Sequence, residues 1–129
     1  DLLGSRGLGD VYKRQNMNYP ISICADESFH DSSDLDKISA KYDTINIKLD
    51  KTGGLTEALK IQKKAKEKGF KVMLGCMVSS SVSMMQILPL YKYADFIDLD
   101  GPCFLSEDRE NGIVYSNGMM KIGEELCWG

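Results

Sequence analysis

Ile45-Asn46-Ile47-Lys48-Leu49-Asp50-Lys51-Thr52-Gly53-Gly54 is the stretch on which the fold turns. Ile45, Ile47 and Leu49 alternate with Asn46, Lys48 and Asp50, the period-2 pattern of a strand whose two faces meet different surroundings. An amide, an ammonium and a carboxylate therefore share one side of the strand, and the glycine pair ends it in a turn. Such a side is either a surface or a polar cavity, and the choice decides what the chain does.

The pattern recurs on both sides of this stretch. Upstream from Tyr19, Ile21, Ile23 and Ala25 alternate along a strand that ends at Asp26-Glu27-Ser28. Ser33 then reads as an N-cap, with Asp36 three residues on and Leu35, Ile38 and Tyr42 at helical spacing. Downstream, a helix from Leu55 to Lys68 sets Leu55, Leu59, Ile61 and Ala65 against the core. Its lysines, Lys60, Lys63, Lys64, Lys66 and Lys68, form a solvated face, and Gly69 closes it. Lys71 to Met77 reads as a third strand with Val72-Met73-Leu74 as a buried run. A helix over about Ser80 to Lys92 follows, with Val82, Met85 and Leu88 apolar and Pro89 bending or ending it. The fourth strand, Phe96 to Asp100, stops at Gly101-Pro102, and Asn111-Gly112 and Asn117-Gly118 mark a hairpin beyond it.

Four strands, starting near residues 21, 45, 72 and 96 with a helix between successive strands, are the signature of parallel βα units. The expected class is α/β, a partial (β/α)8 barrel of the TIM type made of about four C-terminal units. A complete barrel takes roughly 250 residues, and this chain has 129. Reactive groups in that architecture sit at the C-terminal ends of the strands. Asp26, Lys48, Cys76, Asp98 and Asp100 all fall there.

Composition narrows the partners. With 43% hydrophobic and 27% charged residues and a net charge of −3, the chain reads as an ordinary cytoplasmic domain. Nothing in that charge favours nucleic acid or an anionic membrane. No run approaches the ~20 apolar residues of a membrane span. Cys24, Cys76, Cys103 and Cys127 are scattered without a CxxC pair, and His30 is the one histidine, so buried free thiols are expected rather than zinc or disulfides. Residues 1–16 show no sustained period and read as a tail foreign to the fold, with the domain proper over 17–129.

Two chemical readings of the strand ends stay open on the residues alone. Lys48 among carboxylates makes a buried ion-pair network, or it is a general base whose pKa desolvation and a nearby cation lower toward neutrality. Asp26 suits a hard divalent cation such as Mg²⁺, while Glu27 is expected to point away because strand neighbours alternate. Asp98 and Asp100, two residues apart on one face, can bind a substrate ammonium or serve as structural carboxylates.

Ala25-Asp26-Glu27-Ser28, Asn46-Ile47-Lys48-Leu49 with Lys51-Thr52-Gly53-Gly54, Gly75-Cys76-Met77 and Asp98-Leu99-Asp100-Gly101-Pro102 occur in that order, and together they resemble the enolase superfamily. More narrowly they are similar to its dipeptide epimerases of the L-Ala-D/L-Glu type. The resemblance covers about residues 17–125. It implies that Asp26 is one ligand of an essential Mg²⁺ and that Lys48 is one of two acid/base lysines in a 1,1-proton transfer through an enediolate. It also implies that Asp98 and Asp100 bind the α-ammonium of a small-molecule dipeptide, and that Cys76 lines the substrate pocket.

The family's capping domain, first barrel strands, partner lysine and first two metal ligands have no counterpart in these residues. The resemblance therefore implies a C-terminal half, inactive alone. Half a barrel leaves sheet edges and apolar helix faces uncovered, which favours aggregation or association, a homo-oligomer included. The alternatives are a muconate cycloisomerase or o-succinylbenzoate synthase type of enzyme, which needs no paired ammonium-binding carboxylates, and a catalytically dead fragment.

Overall fold

The structure, a computed structural model, describes residues 20–39 and 41–123. The segment 1–16, Tyr19 and Cys127 lie outside them. Four short strands, β1 (Cys24–Ala25), β2 (Thr44–Ile47), β3 (Lys71–Leu74) and β4 (Phe96–Ile97), form one sheet in chain order. Every pairing in it is parallel. Parallel neighbours need a crossover, usually helical, and the crossovers hold α1 (Leu35–Ile38), α2 (Leu49–Thr52), α3 (Leu55–Glu67) and α4 (Ser81–Ile87). Two 3-10 segments, Leu88–Tyr93 and Gly101–Phe104, and an antiparallel hairpin of β5 (Val114–Ser116) and β6 (Met119–Lys121) complete the described chain.

The expected four units are present, with shorter strands. All four residues of β2 are buried, as befits a strand covered on both faces. Phe29, Leu35, Ile61, Leu74, Met84 and Leu90 are fully buried around it. The strand stops at Ile47. Lys48 stays extended at φ −120° and ψ 126°, and Leu49 starts a single helical turn. Asp50 thus leaves the polar face shared by Asn46 and Lys48 for the exposed side of α2.

The helices differ from expectation in which face they bury. On α3 the buried positions are Ala58, Ile61, Gln62 and Ala65, while Leu59 is 45% exposed. Gln62 is tolerated inside because its Nε2 donates to the Leu90 carbonyl at 2.7 Å. On α4 the buried set is Ser81, Met84 and Ile87 rather than Val82, Met85 and Leu88, a shift of one residue. The reason lies far away in sequence: Asp108 accepts hydrogen bonds from the Ser81 backbone N–H and hydroxyl, and the Ser81 hydroxyl in turn accepts the Ile113 N–H. Those bonds fix the rotation of α4 about its axis. Pro89 sits in the 3-10 segment that follows, so the α-helix ends at Ile87.

Three smaller expectations are corrected. Asp34, not Ser33, is the N-cap residue of α1, and its carboxylate accepts the N–H groups of His30 and Asp31. The hairpin turn is Asn117-Gly118, with φ of 52° and 71°, the left-handed pair of a type I′ turn. Asn111, at φ 57°, belongs to the loop before it. Among the described residues the thiols are free but not buried: Cys103 is exposed, and Cys24 and Cys76 are half-buried. No helix among the described residues is long and apolar enough to cross a membrane.

Candidate active site

The parallel ladder sets the geometry of the strand ends. Ile47 pairs with Leu74 and Leu74 with Ile97. Gly75 N–H donates to the Ile47 carbonyl at 3.0 Å and Asp98 N–H to the Leu74 carbonyl at 2.8 Å, continuing the ladder one residue further. Lys48, Gly75 and Asp98 therefore form one row. With strands about 4.8 Å apart, the Lys48 and Asp98 backbones stand about 10 Å from each other.

Gly75, between them, presents no side chain. A Cβ there would lie 2.7 Å from Asn46 Nδ2, so the glycine is what lets the Asn46 amide lie under the row. Asn46 is 4% exposed, and its Oδ1 has no hydrogen-bond partner among the described residues.

One residue past β1, Asp26 receives two lysines. Lys48 Nζ lies 3.1 Å from its Oδ2, and Lys51 Nζ lies 2.7 Å from both its Oδ1 and its main-chain carbonyl. The lysine side chains are 11% and 10% exposed, against 43% for Asp26. Burial pushes the Asp26 carboxyl up, but the hydrogen bonds from Lys51 and Lys48 outweigh it and hold the group below the ordinary carboxylate value. Burial likewise pulls the Lys48 ammonium down, and the hydrogen bond and charge of Asp26, with Glu27 added, hold it above the usual lysine value. Desolvation acts in the expected lowering direction, and the two carboxylates outweigh it in this arrangement.

Glu27 is a correction here. Its Oε1 lies 3.6 Å from Lys48 Nζ, because β1 ends at Ala25 and residue 27 sits in a turn where strand alternation no longer applies. Lys51 was legible only as part of a motif. Its signal was its spacing, three residues after Lys48 across one helical turn, which puts both side chains on the same side.

Two strands away, Asp98 and Asp100 are both exposed, with Leu99 at 4% exposure between them. The alternation read from the sequence holds only over Asp98-Leu99-Asp100: in the two-residue paired strand Phe96 and Ile97 are 47% and 54% exposed. Cys76 Sγ donates to the Asp98 carbonyl at 3.5 Å, and burial, with Asp100 and Asp98 nearby, pushes its thiol up. Gly101 lets this loop close: a Cβ there would lie 2.5 Å from the Met77 carbonyl and 3.2 Å from Cys76 Sγ. A cavity of about 330 Å³ opens beside Cys76, lined by Leu49, Gly53, Gly75, Met84 and Ile87 among others. A larger one, about 450 Å³, lies at the opposite ends of the strands, beside Tyr42 and Lys71.

A divalent cation is only partly provided for. Among the described residues no three His, Cys, Asp or Glu side chains converge, and both Asp26 carboxylate oxygens face lysine ammoniums. Asp26 has the hard oxygens Mg²⁺ takes, but Mg²⁺ requires near-octahedral coordination. The described residues fit one share of such a site and not a whole one.

Residues 7–125 match the family model described as enolase C-terminal domain-like. The chain belongs to that family. Among enolase-type relatives it is 45% identical over 114 residues to an N-acetyl-D-glutamate racemase from Pseudoalteromonas sp, covering 88% of this chain and 36% of the relative. It is 44% identical over 108 residues to the L-Ala-D/L-Glu epimerase of Escherichia coli (strain K12), covering 84% and 34%. A solved enolase family member from Agrobacterium tumefaciens, with homology to dipeptide epimerases and bound sodium and L-Ala-L-Glu, superposes with a TM-score of 0.80 at 43% identity, covering 89% and 35%. The dipeptide epimerase from Cytophaga hutchinsonii, solved with Mg and D-Ala-L-Val, superposes at 0.69 and 29% identity, covering 79% and 30%.

The chain thus spans about a third of the length of these enolase-family proteins. Its four-stranded parallel sheet is the corresponding part of their barrel. The expected α/β partial-barrel class stands.

Proposed function

We propose that residues 17–129 form the C-terminal half of the barrel domain of a Mg²⁺-dependent dipeptide epimerase, and that the 129 residues alone are inactive. The observation that carries this is the arrangement of three strand ends: Lys48 against Asp26 on one side, with Asp98 and Asp100 exposed two strands away. A dipeptide laid along that row has its α-carbon near the Lys48 ammonium and its own ammonium near the paired aspartates.

In this reading Lys48 exchanges a proton at the α-carbon of the C-terminal residue from one face. A second lysine, outside this chain, works from the other. Asp98 and Asp100 fix the substrate ammonium by charge-assisted hydrogen bonds, and Cys76 lines the substrate pocket. Asp26 is one ligand of Mg²⁺, which when bound offsets negative charge developing on the substrate carboxylate.

The 45% identity to an N-acetyl-D-glutamate racemase favours a second reading, in which the substrate is an N-acylated amino acid. An N-acyl group carries no charge for two aspartates to bind, so their presence favours the dipeptide. In the full-length enzyme, changing Asp98→Asn and Asp100→Asn together should cut kcat/KM for L-Ala-L-Glu at least about 100-fold, as buried or paired charge-assisted contacts are worth several kcal/mol. Turnover of N-acetylglutamate should change little. Unchanged dipeptide kcat/KM would leave the second reading standing.

A further inference from the structure

We propose that Lys51 is a positioning residue that locks the Asp26 carboxylate in the orientation the site uses. The proposal rests on the epimerase reading above. It is carried by a two-point grip: one ammonium, at 2.7 Å from both, bonds the main-chain carbonyl and the Oδ1 of the same residue. Holding both atoms fixes the Asp26 side-chain torsion and leaves Oδ2 turned toward Lys48, 3.1 Å away.

The grip is anchored at each end. Asp26's carbonyl also accepts the Phe29 N–H at 3.0 Å, and Phe29 is fully buried, so the turn is tied to the core. Lys51 stands on α2, whose four residues are closed by the Gly54 N–H to the Leu49 carbonyl at 3.0 Å and by Gly53 and Gly54 at φ 77° and 119°. The Thr52 hydroxyl donates to the Leu49 carbonyl at 3.3 Å within the same turn. Lys51-Thr52-Gly53-Gly54 is therefore one device: a rigid turn that presents a lysine, only 10% exposed, to the neighbouring strand end. With Asp26 43% exposed, such an ion pair adds little to stability, which points to placement of Asp26 as its role. Groups that orient a ligand carboxylate in this way are worth about 10–100-fold in metal affinity or activity.

The test is Lys51→Met and Lys51→Arg in the full-length enzyme. Lys51→Met should weaken Mg²⁺ binding by calorimetry, and lower kcat for dipeptide α-proton exchange, each by about 10–100-fold. KM should stay within about threefold, and Lys51→Arg, which keeps charge and donors on a bulkier planar head, should lose less than Lys51→Met without full recovery. Should Lys51→Met fail to fold, Lys51→Gln carries the same expectations. Unchanged Mg²⁺ affinity and kcat in the folded variant would overturn the proposal.

Should the unsubstituted enzyme neither bind Mg²⁺ nor exchange, the epimerase reading fails by itself. The grip is then judged on amide exchange at Phe29 in the folded full-length enzyme. Lys51→Met should speed it at least about tenfold relative to core amides such as Ile61. Equal exchange would overturn the grip as well.

Discussion

Lys48 and Asp98 stand in one row across β2, β3 and β4, separated by Gly75, which puts no side chain between them. The gap is filled from below by the Asn46 amide.

That gap makes Gly75 and Asn46 dependent on each other. Gly75→Ala should destabilise the full-length enzyme by about 1–3 kcal/mol, the cost of overpacking a filled site. Adding Asn46→Ala should return much of that loss, because the clashing amide is gone. Urea denaturation of the two single variants and the double variant measures the coupling. Simple additivity would show that the two side chains do not compete for the space.

Removing the Lys48 charge should separate chemistry from folding. In the full-length enzyme Lys48→Met should lower kcat by about 10²–10⁴-fold, the usual contribution of a positioned acid or base. Asp26 keeps its bonds to Lys51, so the melting temperature should move by only a few degrees. Wild-type kcat in the folded variant would remove Lys48 from the reaction.

Stability in acid should depend on Asp95, well away from the site. The hydrogen bond from Lys66 and then the Val72 N–H hold its carboxyl below its ordinary value of 3.8. A carboxylate lowered on folding contributes stability that is present above that value and is lost as pH falls through its lower, folded value. Melting temperature should fall on acidification below about pH 4, and Asp95→Asn should flatten part of that fall. An identical profile in the variant would exclude Asp95 as a source.

The βα alternation and the strand-end positions of Asp26, Lys48, Cys76, Asp98 and Asp100 were legible because apolar periodicity follows directly from which face is buried. Where each strand stops was not. Leu49 fits a strand pattern and a helical turn equally well, and the Gly53-Gly54 turn settles it by closing α2. The face of α4 depended on Asp108, 27 residues from Ser81, a contact that no local window contains. Glu27 turned toward Lys48 because its strand ended two residues earlier, and Lys51 was hidden by reading Lys48 alone. The α4 face is a tertiary contact overriding a local pattern, whereas Leu49 and Glu27 turn on where a strand stops.

The most direct test is α-proton exchange in D₂O, followed by NMR, with L-Ala-L-Glu, Mg²⁺ and the full-length enzyme. The expected result is deuterium at the glutamate α-carbon together with growth of the L-Ala-D-Glu diastereomer, and Lys48→Met abolishes that growth, because inversion needs a lysine on each face. An α-proton that does not exchange, in an enzyme shown to be folded, would contradict the epimerase assignment.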